Sequence, residues 1–169
     1  MKAILGQIKP QKVKILFKNS EGKEIKPNLG KIGYIAQDSV LFPDTIKNNI
    51  TMFNSKLDDQ VDRITKDVQL ETDLARFPDG TSTVIDLDSD NLSGGQKQKI
   101  ILARTQIHHS QFVLMDEATS AIDSTATKKI LQKLLESDAT LILIAHNFDQ
   151  QLRSMFDREI HLVGGNYED

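Results

Sequence analysis

The chain has no cysteine. That excludes a disulfide framework and any metal site built on thiolates. Long apolar runs are also missing. The longest, Leu141–Ala145, falls far short of the roughly 20 residues that a membrane-crossing helix needs. Met1–Gly6 is too short an apolar stretch for a signal peptide, so any link to a membrane is expected to come through a partner. Nor is there an excess of positive charge. A net charge of −3 argues against a nucleic-acid partner held by bulk charge. What is present is a globular balance: 38% of the 169 residues are hydrophobic, enough for one core or for part of a larger one.

Apolar spacing gives the outline of the fold. Val13–Phe17 alternates as a strand does, and Asn19–Gly22 reads as the turn after it. A second strand spans Ile32–Ala36 and stops at Gln37. From Asp44 to Phe77 the apolar residues Ile46, Ile50, Val61, Ile64, Val68 and Leu74 recur at helical spacing, until Pro78-Asp79-Gly80 breaks the pattern. Another helix is predicted from Ser93 to His109, with Ile100, Ala103 and Ile107 on one face. Phe112–Met115 is a continuous apolar run, as in a strand buried on both faces. A helix over Thr125–Leu135, a buried strand over Thr140–Ala145, a short helix near Phe148–Met155 and a strand over Glu159–Val163 follow. Strands alternating with helices predict a parallel α/β core. The helix-rich middle has no matching strands and reads as an inserted subdomain.

Several short motifs carry chemistry. Leu92-Ser93-Gly94-Gly95-Gln96 puts a serine and two glycines at a helix start, where backbone N–H groups and the helix dipole favour an anion such as a terminal phosphate. The plainer alternative is an ordinary N-cap. Phe112–Met115 runs into two carboxylates, Asp116 and Glu117, at a strand's C-terminal end, where open α/β sheets bind ligands. Asp116 there is placed to hold Mg²⁺ through oxygen and water, and Glu117 to orient or deprotonate a water. The alternative is two acids that only begin a loop. Thr119–Asp123 could be another helix cap. His146 and Gln37 each end a strand, and each could meet a phosphate, metal or water, or simply face solvent.

In their order and spacing these motifs together resemble the ATP-binding cassette (ABC) ATPases. Gln37 matches the Q-loop, Leu92–Gln96 the signature, Asp116 and Glu117 the Walker B pair, Ser120–Asp123 the D-loop and His146 the H-loop. Gln37–Ile50 and Phe77–Gly80 further resemble the exporter branch. The resemblance implies a partial P-loop NTPase (RecA-like) α/β core over 1–37 and 110–169, with a helical subdomain over 38–109. It implies ATP and Mg²⁺, with Asp116 and Gln37 toward the metal, Glu117 as catalytic base and His146 on the γ-phosphate. Ser93, Gly94, Gly95 and Gln96 would face the ATP of a second nucleotide-binding domain in a head-to-tail pair, and Asp123 would couple across that interface. A transmembrane exporter domain is the other implied partner, which would put the chain on the cytoplasmic face of the membrane. On this pattern Gln37, Asp116, Glu117 and His146 should share one sheet edge, with the signature apart from them.

The chain departs from the family in three places. The pattern G-x-x-x-x-G-K-[ST] does not occur, since neither Gly22-Lys23 nor Gly30-Lys31 fits it. That loop cradles phosphates and supplies a lysine and a metal-binding hydroxyl. The chain is therefore expected to begin inside the helix after it, and to be inactive alone. Ile85–Asp90 carries three aspartates and no glycine where exporters carry a stretch that communicates with the membrane partner. Lys97 and Lys99 replace arginines, which keeps charge and loses the forked donor. Two rival readings are open to the same residues. A soluble ABC ATPase of the DNA-repair kind needs a long coiled coil between Gln37 and Ser93, where no heptads occur. A non-enzymatic module that binds a partner through its signature face is the other.

Overall fold

A computed structural model of the protein describes residues 3–9, 15–18, 21–25, 31–36, 39–145 and 150–160. Its centre is a parallel sheet of β3 (Ile32–Ile35), β4 (Phe112–Asp116) and β5 (Thr140–Ile144), in that spatial order. Opposed pairs run from Ile32 and Phe112 to Ile35 and Met115 on one side of β4. On its other side they run from Phe112 and Thr140 to Asp116 and Ile144. Parallel neighbours need crossover connections, and helices supply them. α1 (Ile46–Thr51), α2 (Val61–Asp67), α3 (Glu71–Leu74) and α4 (Gly94–Ile107) lie between β3 and β4, while α5 (Ser124–Leu135) lies between β4 and β5. α6 spans Gln150–Arg153. A small antiparallel pair joins β1 (Phe17–Lys18) to β2 (Glu24–Ile25). Of the expected turn Asn19–Gly22, residues 19 and 20 lie outside the described residues, and Gly22 takes a φ of 79°.

β4 is the buried centre: Val113, Leu114 and Met115 are shielded from solvent, as a four-residue apolar run demands. β5 departs from its expected burial on both faces. Thr140 and Ile142 are exposed, because among the described residues β5 pairs only with β4. An edge strand with an exposed isoleucine is a template for further pairing. The isolated chain is therefore expected to self-associate at high concentration, and Ile142→Lys to reduce this. Light scattering that finds a monodisperse monomer in the unsubstituted chain would contradict the expectation.

The region 44–77 is more broken than its spacing suggests. Thr45 caps α1 by accepting the Asn48 N–H. Met52 and Phe53 then take left-handed φ values of 51° and 61°, and Gln69 one of 56°. A 3-10 turn over Ser55–Gln60, capped by Asn54, fills the gap before α2. Ile46, Ile50, Val61, Ile64 and Val68 are nevertheless buried. The apolar spacing thus marks the core, while caps and left-handed residues decide where each helix stops. Two strand expectations also change. Of Val13–Phe17, residues 13 and 14 lie outside the described residues, and β1 begins only at Phe17. Glu159 and Ile160 lie in no strand, and residues 161–163 lie outside the described residues.

α4 organises the rest. Ile100, Ile101, Leu102, Ala103 and Ile107 are all buried, so the helix buries more than the single face its spacing suggests, packing against α1, α2 and β3. β3 approaches it closely: a Cβ at Gly33 would lie 2.3 Å from Thr105 Cγ2, so this strand position has room for glycine alone.

Candidate functional site

The register brings the C-terminal ends of the three strands to one edge. Ile35 stands opposite Met115, and Asp116 opposite Ile144. Ala36, the pair Asp116–Glu117 and Ala145 therefore reach the edge together. Gln37 and His146, the residues next in sequence to Ala36 and Ala145, lie outside the described residues. Asp116 is half-buried as the last residue of β4. Glu117 turns the chain off the strand with a φ of 52°, a conformation that disfavours side chains with a Cβ and is retained where neighbours enforce it. Two backbone bonds do so. The Glu117 N–H donates to the Ile144 carbonyl at 3.0 Å, and the Glu117 carbonyl accepts from the Ser120 N–H at 3.1 Å.

The start of α4 is a complete capping box. Ser93 Oγ accepts the Gln96 N–H at 3.3 Å, and Gln96 Oε1 accepts the Ser93 N–H at 2.8 Å. The N-cap alternative is thus real, yet it leaves room for an anion. The N–H groups of Gly94 and Gly95 have no helical carbonyl to meet. The Ser93 hydroxyl can still donate its own proton while it accepts. Gln96 is occupied within the chain, for its Nε2 donates to Asp73 Oδ1 at 3.2 Å. Lys99 binds the other oxygen of the same carboxylate at 2.7 Å, with side chains only 13% and 18% exposed. Lys97 pairs with Asp90.

The loop after Glu117 packs directly on this helix start. A Cβ at Gly95 would sit 2.7 Å from the Ala121 carbonyl oxygen, and one at Gly94 would sit 3.3 Å from Ala121 Cβ. Gln98 adds two bonds, accepting from the Ala121 N–H at 3.0 Å and donating to Ser120 Oγ at 3.3 Å. The Ser93–Gly95 helix start therefore abuts the loop that follows Asp116–Glu117 in the same chain. Asp123 is exposed and caps α5 by accepting the Ala126 N–H at 2.9 Å.

Ile85–Asp90 closes on itself. Asp86 accepts from the Asp88 and Ser89 N–H groups and from Ser89 Oγ. These bonds, the Ser89 hydroxyl foremost, hold its carboxyl below the usual carboxylate range. The glycine-free stretch is a formed turn.

Three positions escaped the motif reading: Gln98, Asn49 and Arg104. Asn49 is fully buried. Its Oδ1 accepts from the Phe42 N–H at 2.8 Å, and its Nδ2 donates to the carbonyls of Phe42 and Thr45 at 3.0 Å each. Arg104 donates to the Asn49 carbonyl at 2.7 Å, to Asn49 Oδ1 and to the Val40 carbonyl, and stacks over Phe42 at 5.5 Å. Burial lowers its pKa. The usable signal was an arginine directly after the apolar run Ile100–Ala103 and on a helix otherwise rich in buried residues. Beside this clamp, Val40, Phe42, Met52 and Phe53 leave apolar surface exposed, with the two phenylalanine rings 6.2 Å apart.

The chain is similar to known proteins in both sequence and fold. The family model described as ABC transporter matches residues 1–120. The chain is 37% identical over 142 residues to ABC transporter B family member 1 of Dictyostelium discoideum, covering 81% of this chain and 16% of that protein. It is 33% identical over 152 residues to the multidrug resistance-like ATP-binding protein MdlA of Buchnera aphidicola, covering 86% of this chain and 26% of that one. Among solved structures it is similar to a bacterial Atm1-family ABC exporter with ATP bound, with a TM-score of 0.68 and 34% identity over 81% of this chain and 25% of that chain. The chain thus spans about a quarter or less of the length of these relatives. No helix among the described residues is long and apolar enough to cross a membrane. With a family model over most of its length, a parallel sheet ending in Asp116–Glu117 and a glycine-built helix start beside it, the chain belongs to the ABC transporter family, as an ATP-binding segment of exporter type.

Proposed function

We propose that this chain supplies the signature half of a composite ATP site in an exporter, and the metal and base carboxylates of a second site. One observation carries the reading: Asp116 and Glu117 end the central strand while the Ser93–Gly95 helix start packs on the loop that follows them. The donor set suits Mg·ATP. A single carboxylate, with phosphates and waters, is a usual Mg²⁺ environment, and the described residues hold no cluster of three or more His, Asp or Glu that would form a cage on its own. Mg²⁺, when bound, would neutralise the phosphate charge that develops during transfer.

Asp116 would be the metal carboxylate, with Gln37 beside it. Glu117 would take a proton from, or orient, the attacking water, and His146 would donate to the γ-phosphate. Ser93, Gly94 and Gly95 would donate to the γ-phosphate of ATP held by a second nucleotide-binding domain, paired head to tail. Gln96 would support that end through its capping bonds, and Asp123 would reach across the interface. Residues 1–37 and 110–169 would form the core and 38–109 the helical subdomain. The exposed Val40, Phe42, Met52 and Phe53 suit an apolar partner surface, in this reading the transmembrane domain, which places the chain on the cytoplasmic face.

The test is complementation in trans. An intact exporter ATP-binding domain, with its own G-x-x-x-x-G-K-[ST] loop, is mixed with this chain. Phosphate release should rise above that of the intact domain alone, and a Gly94→Asp chain should give no rise, because a carboxylate would face the phosphate. Equal stimulation by both chains would remove the signature from the site.

A further inference from the structure

The two groups assigned to different ATP sites are tied together inside this one chain. The turn 117–121 hangs from β5 through the Glu117 N–H and is closed by the Ser120 N–H on the Glu117 carbonyl. Its far end is held by Gln98, which accepts from the Ala121 N–H and donates to Ser120 Oγ. Gly95 lets the Ala121 carbonyl come within a distance no side chain would allow. Gln98 stands one helical turn after Gly94 on the same helix, so its amide and the glycine start grip the same loop. Glu117, with its left-handed backbone, sits between two fixed points.

We propose that Gln98 is a positioning residue: its amide locks the turn 117–121 to the start of α4, so that the backbone of Glu117 and the Ser93–Gly95 end move as one body. The inference rests on the reading of Glu117 and Ser93–Gly95 as parts of ATP sites. In a head-to-tail pair those two ends serve different nucleotides. Gln98 then joins one site's base to the other site's signature through a short stretch of a single chain, and a shift at either is felt at the other.

The experiment is residue-resolved amide exchange by NMR on the full 169-residue chain. Gln98→Ala removes both bonds and favours the helix itself. It should speed exchange of the Ala121 N–H about tenfold, as expected for one lost hydrogen bond. It should also move the Glu117 and Ala118 resonances while those of Val113 and Leu114 stay in place. Gln98→Glu can still accept from both the Ala121 N–H and the Ser120 hydroxyl, so it should restore the protection, which a merely helix-stabilising role would not give. Ser120→Ala, which loses only the longer bond, should change Ala121 exchange by less than about threefold. Ala121 exchange within about twofold of wild type in Gln98→Ala would overturn the proposal. So would equal acceleration across β4, a Gln98→Glu chain that behaves like Gln98→Ala, or a Gln98→Ala chain that does not fold, since two bonds to a surface turn do not hold the core. A failed complementation in trans beside an intact Ala121 result would instead count against the ATP-site reading and leave the clamp standing.

Discussion

Phosphate release from Mg·ATP by the 169-residue chain alone is expected to stay at the no-protein background. The reason lies in contacts the sequence does not contain. Nothing in it fits G-x-x-x-x-G-K-[ST], the loop whose amides and lysine meet most of the triphosphate charge. Charge-assisted hydrogen bonds contribute about 1.5–3 kcal/mol each. Three of them absent lower affinity by about a thousandfold or more. Asp116 and Glu117 do not compensate, because two carboxylates repel phosphates until a cation arrives. Calorimetric titration should find ATP binding too weak to saturate at millimolar concentration. Turnover by the chain alone that disappears in Glu117→Gln would show that its other residues replace the phosphate loop.

Asn49→Leu is expected to lower stability by about 3–4 kcal/mol, near the upper end for one substitution. Asn49 is fully buried and joins the segment 42–45 to α1 and α4. Leucine would leave the Phe42 N–H and one Arg104 N–H without the acceptor that Asn49 Oδ1 gives them, and buried polar groups without partners carry their full desolvation cost. Asn49→Asp, although it has the same shape and faces Arg104, should also be strongly destabilised. An oxygen would replace Nδ2 in front of the Phe42 and Thr45 carbonyls, so three hydrogen-bond acceptors would meet with no proton between them. The test is urea unfolding of the three chains, with midpoints compared at constant slope. A loss below about 1 kcal/mol for both variants would show that the segment re-forms its bonds elsewhere or with water.

The sequence by itself determined the family and the α/β class, and it marked candidate positions for the chemistry. Phe112–Met115 read as a buried strand, and a strand that runs into two acids reads as a candidate ligand edge wherever its neighbours lie. Ser93-Gly94-Gly95-Gln96 marked a helix start, because capping and glycine freedom are local effects that a few consecutive residues fix. The breaks within 44–77 were harder to see. Apolar spacing reports burial, and the left-handed turns at Met52, Phe53 and Gln69 interrupt the helices without disturbing it. Only the tertiary structure decided that β5 lies at an edge of the described sheet, since pairing partners come from distant segments. It alone set the Glu117 backbone in its left-handed turn between Ile144 and Ser120. Only folding turned Gln98, Asn49 and Arg104 into clamps. Gln98 and Arg104 bond to groups 22 to 64 positions away, which no local pattern encodes, whereas Asn49 bonds to Phe42 and Thr45, 7 and 4 positions back, and becomes a clamp only once the fold buries it.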